Sequence, residues 1–243
     1  MKRLGLVLVL LLAAAPAAAQ TIDLNGLLPT GGGSAAGKII QILAILTVLS
    51  IAPGLLITVT SFTRFAIALS FLRSGLGLQS TPANLVLISL ALFMTFYVMT
   101  PTFNQAWDTG LKPLIDNKIT ENEALDKISQ PFRQFMSANV REKDVRLFED
   151  LSKQKAPAVA VKDLNLQILI PAFMISELRR GFEIGFLIAL PFLVIDMVVT
   201  VVIMSMGMMM LPPTTISMPA KILFFILMDG WNLLVGNLIR SYG

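Results

Sequence analysis

The residues with chemistry to offer are acids and bases set in otherwise apolar stretches: Glu177, Arg179, Arg180, Glu183, Asp196 and Asp229. A charge inside a membrane segment is expensive, so each needs a partner or a water-lined site. On a helix Glu177 and Arg180 are three residues apart and Arg179 and Glu183 four apart, so this cluster either neutralises itself or meets another subunit. Asp196 has no basic residue within one helical turn, which sends its partner to another helix or another chain. A proton-relay role for Asp196 is the sharper alternative, but a single acid without His or a second acid nearby makes a poor relay. The chain has neither His nor Cys, which removes the usual zinc sites, haem ligation and every His-based triad. We expect no catalytic residue, no metal and no cofactor.

A second cluster is built of thioethers. Met204, Met206, Met208, Met209, Met210 and Met218 surround Gly207 and precede or follow Pro212-Pro213. Three consecutive Met residues cover nearly a full helical turn and cannot all face one partner, and the double Pro ends or breaks the helix. Broken helices at membrane depth are tolerated where protein buries them or where they line a cavity. Unbranched, polarisable side chains repack around objects of varying shape, so a deformable pore ring and ordinary core filler both remain open. A further apparent motif, Gly32 to Lys38, copies the first seven positions of a phosphate-binding loop. It has Ile39 where Mg²⁺ would need Ser or Thr, and no strand precedes it.

These residues must be positioned by membrane helices. The chain of 243 residues is 55% hydrophobic and 14% charged, far too apolar for an ordinary water-soluble domain. Lys2 and Arg3, the apolar run from Leu4, and Ala17-Ala18-Ala19 read as a signal peptide over 1–19, cut after Ala19. A Gly-rich linker over 20–38 follows. Four stretches are long enough to span a bilayer: Ile39 to Thr60, Ala83 to Thr100, Ile184 to Leu211 and Ile222 to Ile239. They form one hydrophobic hairpin over 39–100 and a second, with the Met-rich loop, over 166–243.

Residues 101–165 carry 10 Lys/Arg against 10 Asp/Glu, leaving 9 against 5 for the rest of the chain. The excess positive charge therefore flanks the apolar segments, where it sets orientation rather than binding nucleic acid. Arg64, Arg73 and Lys221 are then cytoplasmic and 101–165 periplasmic. That segment reads as helical, with a Thr120/Glu123 capping box and Val145, Phe148 and Leu151 on one face. Phe135 and Phe148 would be costly exposed on a charged segment, and Glu177 needs a partner, so all three are expected at contacts between copies. Gly181 and Gly185 form a GxxxG pair that makes oligomerisation plausible, while Gly75-Leu-Gly77 and the stretch from Gly230 to Gly236 allow other close approaches.

Several long stretches carry a resemblance: Ser61-Phe-Thr-Arg64, Phe71 to Pro101, Pro171 to Phe186, Pro191 to Val199, Met206 to Lys221 and Met228 to Leu238. In these the chain resembles the FliP family of flagellar type III secretion export-gate subunits, over nearly everything after residue 50. Ala220, where the family usually has an aromatic, and extra Met are the chief departures. The resemblance implies an all-α membrane protein whose kinked helical hairpins assemble around a central pore, much of it lifted out of the plane that hydropathy suggests. It implies a non-enzymatic channel subunit of the bacterial inner membrane and flagellar basal body. On this resemblance five copies would join FliQ and FliR, with FlhB and FlhA nearby, and unfolded rod, hook and filament proteins would pass through. Met208, Met209 and Met210 would form a gasket around the closed pore, with Met206 a further pore-lining candidate. The alternatives are the homologous subunit of a virulence injectisome and, from another class, a proton-coupled transporter using Asp196 and Asp229. The latter should show two similar halves, and no convincing internal repeat is present.

Overall fold

The computed structural model describes residues 56–152, 164–208 and 212–242 as continuous stretches, with single or paired helical positions between 40 and 54. The signal peptide, the linker, Pro157, Met209 and Met210 lie outside the described residues, as does much of the first expected span. Every described regular element is helical: α1 (Phe62–Gly75), α2 (Asn84–Ala106), a π-helical turn (Trp107–Leu111), α3 (Lys112–Ile115), α4 (Glu121–Asn139), α5 (Glu142–Leu151), α6 (Leu166–Ser205), α7 (Pro213–Leu227) and α8 (Gly230–Arg240). This is the all-α class expected.

The boundaries differ from the four-span expectation in ways that charge and backbone chemistry explain. α6 runs unbroken for 40 residues from Leu166, well before the expected start at Ile184, and ends at Ser205, before Leu211. Its early turns carry Glu177, Arg179, Arg180 and Glu183, which a hydropathy reading excludes. Glu177, Arg179 and Glu183 are paired, so the helix continues through them. Gly207, at φ +76°, stops the helix before the prolines are reached. Its N–H bonds Met204 O at 3.0 Å and the Met208 N–H reaches Ile203 O at 3.2 Å, the left-handed glycine cap of a helix C-terminus. Pro213 instead opens α7, where its missing N–H costs nothing.

The expected span from Ile222 to Ile239 is broken: α7 and α8 meet at 66°. Asp229 makes the corner in the left-handed region at φ 50°, and Asn232 donates to its carboxylate at 3.1 Å. Gly230 follows because a Cβ there would lie 2.2 Å from the Phe225 ring. Among the described residues two helical stretches suffice by length and composition to cross a membrane, Asn84–Ile115 and Leu166–Ser205, and the bent pair makes a third if it is one span.

α1 is the buried centre. It runs parallel to α6, whose small residues Gly181, Gly185 and Ala189 recur every four positions and open a groove for it. A Cβ on Gly181 would meet Ile67 at 3.1 Å and one on Gly185 would meet Phe71 at 2.6 Å. The GxxxG pair is thus spent on contact within the chain, which removes it as a reason to expect oligomers. Phe65, Leu69 and Leu72 of α1 then share one apolar cluster with Leu87 and Met94 of α2, Phe192 of α6, Phe225 of α7 and Leu238 of α8. A second cluster gathers Met136 of α4, Val145 of α5, and Leu169 and Phe173 of α6. Thr120 caps α4 in the expected box, accepting from Glu123 N–H at 3.4 Å while Glu123 accepts from Thr120 N–H at 3.2 Å.

Candidate functional site

One buried charge node, a second whose lysine is buried and whose aspartate is half-buried, and one Met-bearing turn make the candidate site. At the first node Arg64 and Glu177 are both 0% exposed and face each other in a bidentate pair, Nε to Oε2 at 2.9 Å and Nη2 to Oε1 at 2.5 Å. Arg64 Nη1 also donates to Ser241 O and Oγ, each at 2.9 Å, and its guanidinium stacks 3.6 Å from the Tyr242 ring centroid. The Tyr242 hydroxyl donates to Glu177 Oε2. Burial, and next the Glu177 charge, push the Tyr242 phenol well above its ordinary pKa, so it stays a donor. Phe135 also stacks on Tyr242, with centroids 5.7 Å apart, and meets Phe173 edge-on at 5.9 Å.

Sequence spacing offered Glu177 the wrong partner. Arg180 makes no ion pair among the described residues, and the carboxylate is taken by Arg64, 113 positions away. Glu177 was also expected at a contact between copies. It is wholly enclosed in its own chain, where Arg64 and Tyr242 hold its carboxylate. Phe135 and Phe148 are half-buried and pack on the second apolar cluster, which covers part of each ring without a partner chain. Arg179 and Glu183 do pair as spaced, at 2.9 Å on an exposed face. Beside Glu177, the buried Ser176 Oγ stands 2.7 Å from Asp144 Oδ2 and accepts from Arg141 N–H at 3.1 Å, joining α5 to α6. Sequence reasoning missed Ser176, Asp144 and Tyr242. The available signal was a polar residue recurring on the small-residue face of α6.

The second node answers the question of Asp196. Lys221 of α7, 2% exposed, donates to Asp196 Oδ2 at 2.6 Å and to Gly75 O, the last carbonyl of α1, at 3.0 Å. Ser217 donates to Asp196 Oδ1 at 2.5 Å. The partner does come from another helix, and within the same chain. Arg64 and Lys221 were read as cytoplasmic charges that set orientation, but both are neutralised inside the protein. Asp229 is an exposed corner residue.

Beyond the second node Met204, in the last turn of α6, and Met206 and Met208, in the α6–α7 connection, are 59%, 68% and 42% exposed. Among the described residues no group of three or more His, Cys, Asp or Glu is placed to hold a metal.

Helices long and apolar enough to cross a membrane, ion pairs between them and an exposed Met-bearing turn define an all-helical protein of the membrane class. The FliP family model matches residues 45–238. The flagellar biosynthetic protein FliP of Rhizobium meliloti is 58% identical over 227 residues, 93% of each chain. That of Agrobacterium fabrum is 60% identical over 211 residues, 86% of each, and that of Bacillus subtilis 53% over 203 residues, 84% of this chain and 91% of that one. The chain belongs to the FliP family.

Proposed function

We propose that the chain is a core channel subunit of the flagellar type III secretion export gate, passing unfolded rod, hook and filament proteins across the inner membrane. Membership of the FliP family and the flagellar names of its relatives support a place in the flagellar export apparatus rather than an injectisome. The observation that carries the channel role is an apolar, thioether-bearing turn exposed at the end of a helical hairpin whose two arms are fastened by the Lys221–Asp196 ion pair. In this reading several copies, with FliQ and FliR, bring Met208, Met209 and Met210 to a common axis, with Met206 beside them. There they form a flexible apolar constriction that excludes water and ions at rest and yields to an unfolded chain. Residues 101–165 face the periplasm and assist assembly through α4 and α5.

Replacing Met208, Met209 and Met210 together by Ala tests this. The variant should assemble at wild-type yield yet leak ions and small solutes and slow growth, because a wider ring no longer seals. Replacement by Leu should seal better than Ala and secrete less well than wild type. An assembled triple-Ala gate as tight as wild type returns the Met cluster to core filler.

A further inference from the structure

The Met turn joins two helices of unequal reach. From Asp196 to the end of α6 at Ser205 is nine residues, about 14 Å, whereas from Ser217 back to the start of α7 at Pro213 is four residues, about 6 Å. The Ser217–Asp196 hydrogen bond fixes these two positions against each other. α6 therefore projects about 8 Å farther toward the turn than α7 does. A slip of one helical turn at the Asp196 node would move the Met side chains by about 5 Å along the hairpin.

Apolar packing below the node is poorly suited to prevent such a slip. Phe192 meets Phe224 and Phe225 at ring distances of 6.3 Å each, through contacts that are non-directional and easily re-formed after a shift. The polar node is directional. Lys221 has two acceptors on two other helices, Asp196 of α6 and the orphan C-terminal carbonyl of Gly75 on α1. α1 is in turn held to α6 by Arg64 and Glu177 near its other end. The Met-bearing hairpin is thereby registered to α1, and through α1 to the Glu177 node.

We propose that Lys221, with Asp196 and Ser217, is a positioning clasp that sets the height and lateral placement of the Met turn. The placement is a statement about the protomer, and its consequence for sealing rests on the channel reading above. Neutralising Lys221 frees the α6–α7 register while leaving the Arg64–Glu177 node intact, so the protomer keeps its fold and the turn loses its fixed place. Arg at 221 retains the charge and enough donors for both acceptors.

The absence of Cys makes the test direct. Spin labels at Ser74→Cys, near the end of α1, and Met206→Cys, in the turn, report the distance from fixed core to turn. The labelled chain is diluted into unlabelled copies in the complete membrane complex, so that distances within one protomer dominate. Lys221→Gln should broaden and displace this distribution by several ångströms, with Lys221→Arg restoring it. Without labels, the assembled Lys221→Gln complex should leak severalfold more than wild type. An assembled Lys221→Gln complex with an unchanged distribution overturns the clasp, whether or not it leaks. A displaced turn without leak supports the clasp and counts against the Met seal. If Lys221→Gln fails to assemble, Ser217→Ala, which removes one hydrogen bond and no charge, is measured in the same way. An unchanged distribution there removes Ser217 from the clasp and, with Lys221→Gln unable to assemble, makes the Lys221–Asp196 pair a folding determinant rather than a positioning one.

Discussion

Arg64 and Glu177 give up all contact with water, and what offsets that loss is a fully occupied set of partners: a bidentate pair, two bonds to Ser241 and the Tyr242 hydroxyl and ring. Such a node responds asymmetrically to mutation. Removing one charge strands the other in a dry site and costs about 3–5 kcal/mol, whereas replacing both by apolar groups of similar volume is far milder. Glu177→Ala should therefore lower the unfolding stability of the detergent-solubilised protomer by about that amount, and Arg64→Met with Glu177→Leu should recover more than half of it. Tyr242→Phe, which deletes a hydrogen bond to a charged acceptor, should cost about 1.5–3 kcal/mol. Equal losses in the single and double variants would show that the node does not act as a pair. None of this pairing was legible in the sequence. Spacing reveals neighbours three or four residues away, and Arg64 lies 113 positions from Glu177.

At the scale of elements, local chemistry read well and tertiary chemistry did not. The Thr120 capping box is complete within four residues, so the start of α4 was predictable, and Thr120→Ala should destabilise by about 1 kcal/mol. Pro212-Pro213 was a true boundary but belonged to the next helix, because Gly207 had already stopped α6. The 66° corner at Asp229 depends on Phe225 pressing on Gly230, a contact that no periodicity reveals. Glycines separate the two kinds of information. Gly185 faces Phe71 so closely that an added Cβ would stand 2.6 Å from the ring, so Gly185→Ala should cost about 1–3 kcal/mol and loosen α1 from α6. Gly236, in α8, has nothing within 4 Å of such a Cβ. Gly236→Ala should be neutral or raise helix stability by up to about 1 kcal/mol in the isolated protomer. Thermal unfolding of both variants in detergent checks the contrast, and comparable losses at the two positions would contradict the packing of α6.

For the whole molecule the imbalance between apolar length and burial decides what surrounds it. The most apolar 18-residue window of α6 is only 17% buried, and that of the stretch from Asn84 to Ile115 is 33% buried. Large side chains such as Phe93, Phe96, Phe182, Phe186, Val194 and Val198 point away from the core, forming an apolar surface far larger than a water-soluble monomer carries. Lipid alone can cover α2 and α6, as hydropathy suggests. The small-residue groove of α6 that might have joined copies is already filled by α1, which leaves this large-residue face as the part of α6 that the proposed gate can use between copies. The proposed multi-copy gate therefore predicts that Phe186→Cys and Val198→Cys, each the sole thiol in the chain, cross-link to a second copy in native membranes with a short bismaleimide. Lys143→Cys on the exposed face of α5 should instead react with a water-soluble maleimide. Cross-linking at Phe186 and Val198 should vanish when the chain is expressed without its partners at low level, since a face this apolar then meets lipid. If both positions react only with lipid-phase reagents in the complete complex and no linked dimer forms, α6 faces the bilayer. The subunits would then have to meet elsewhere.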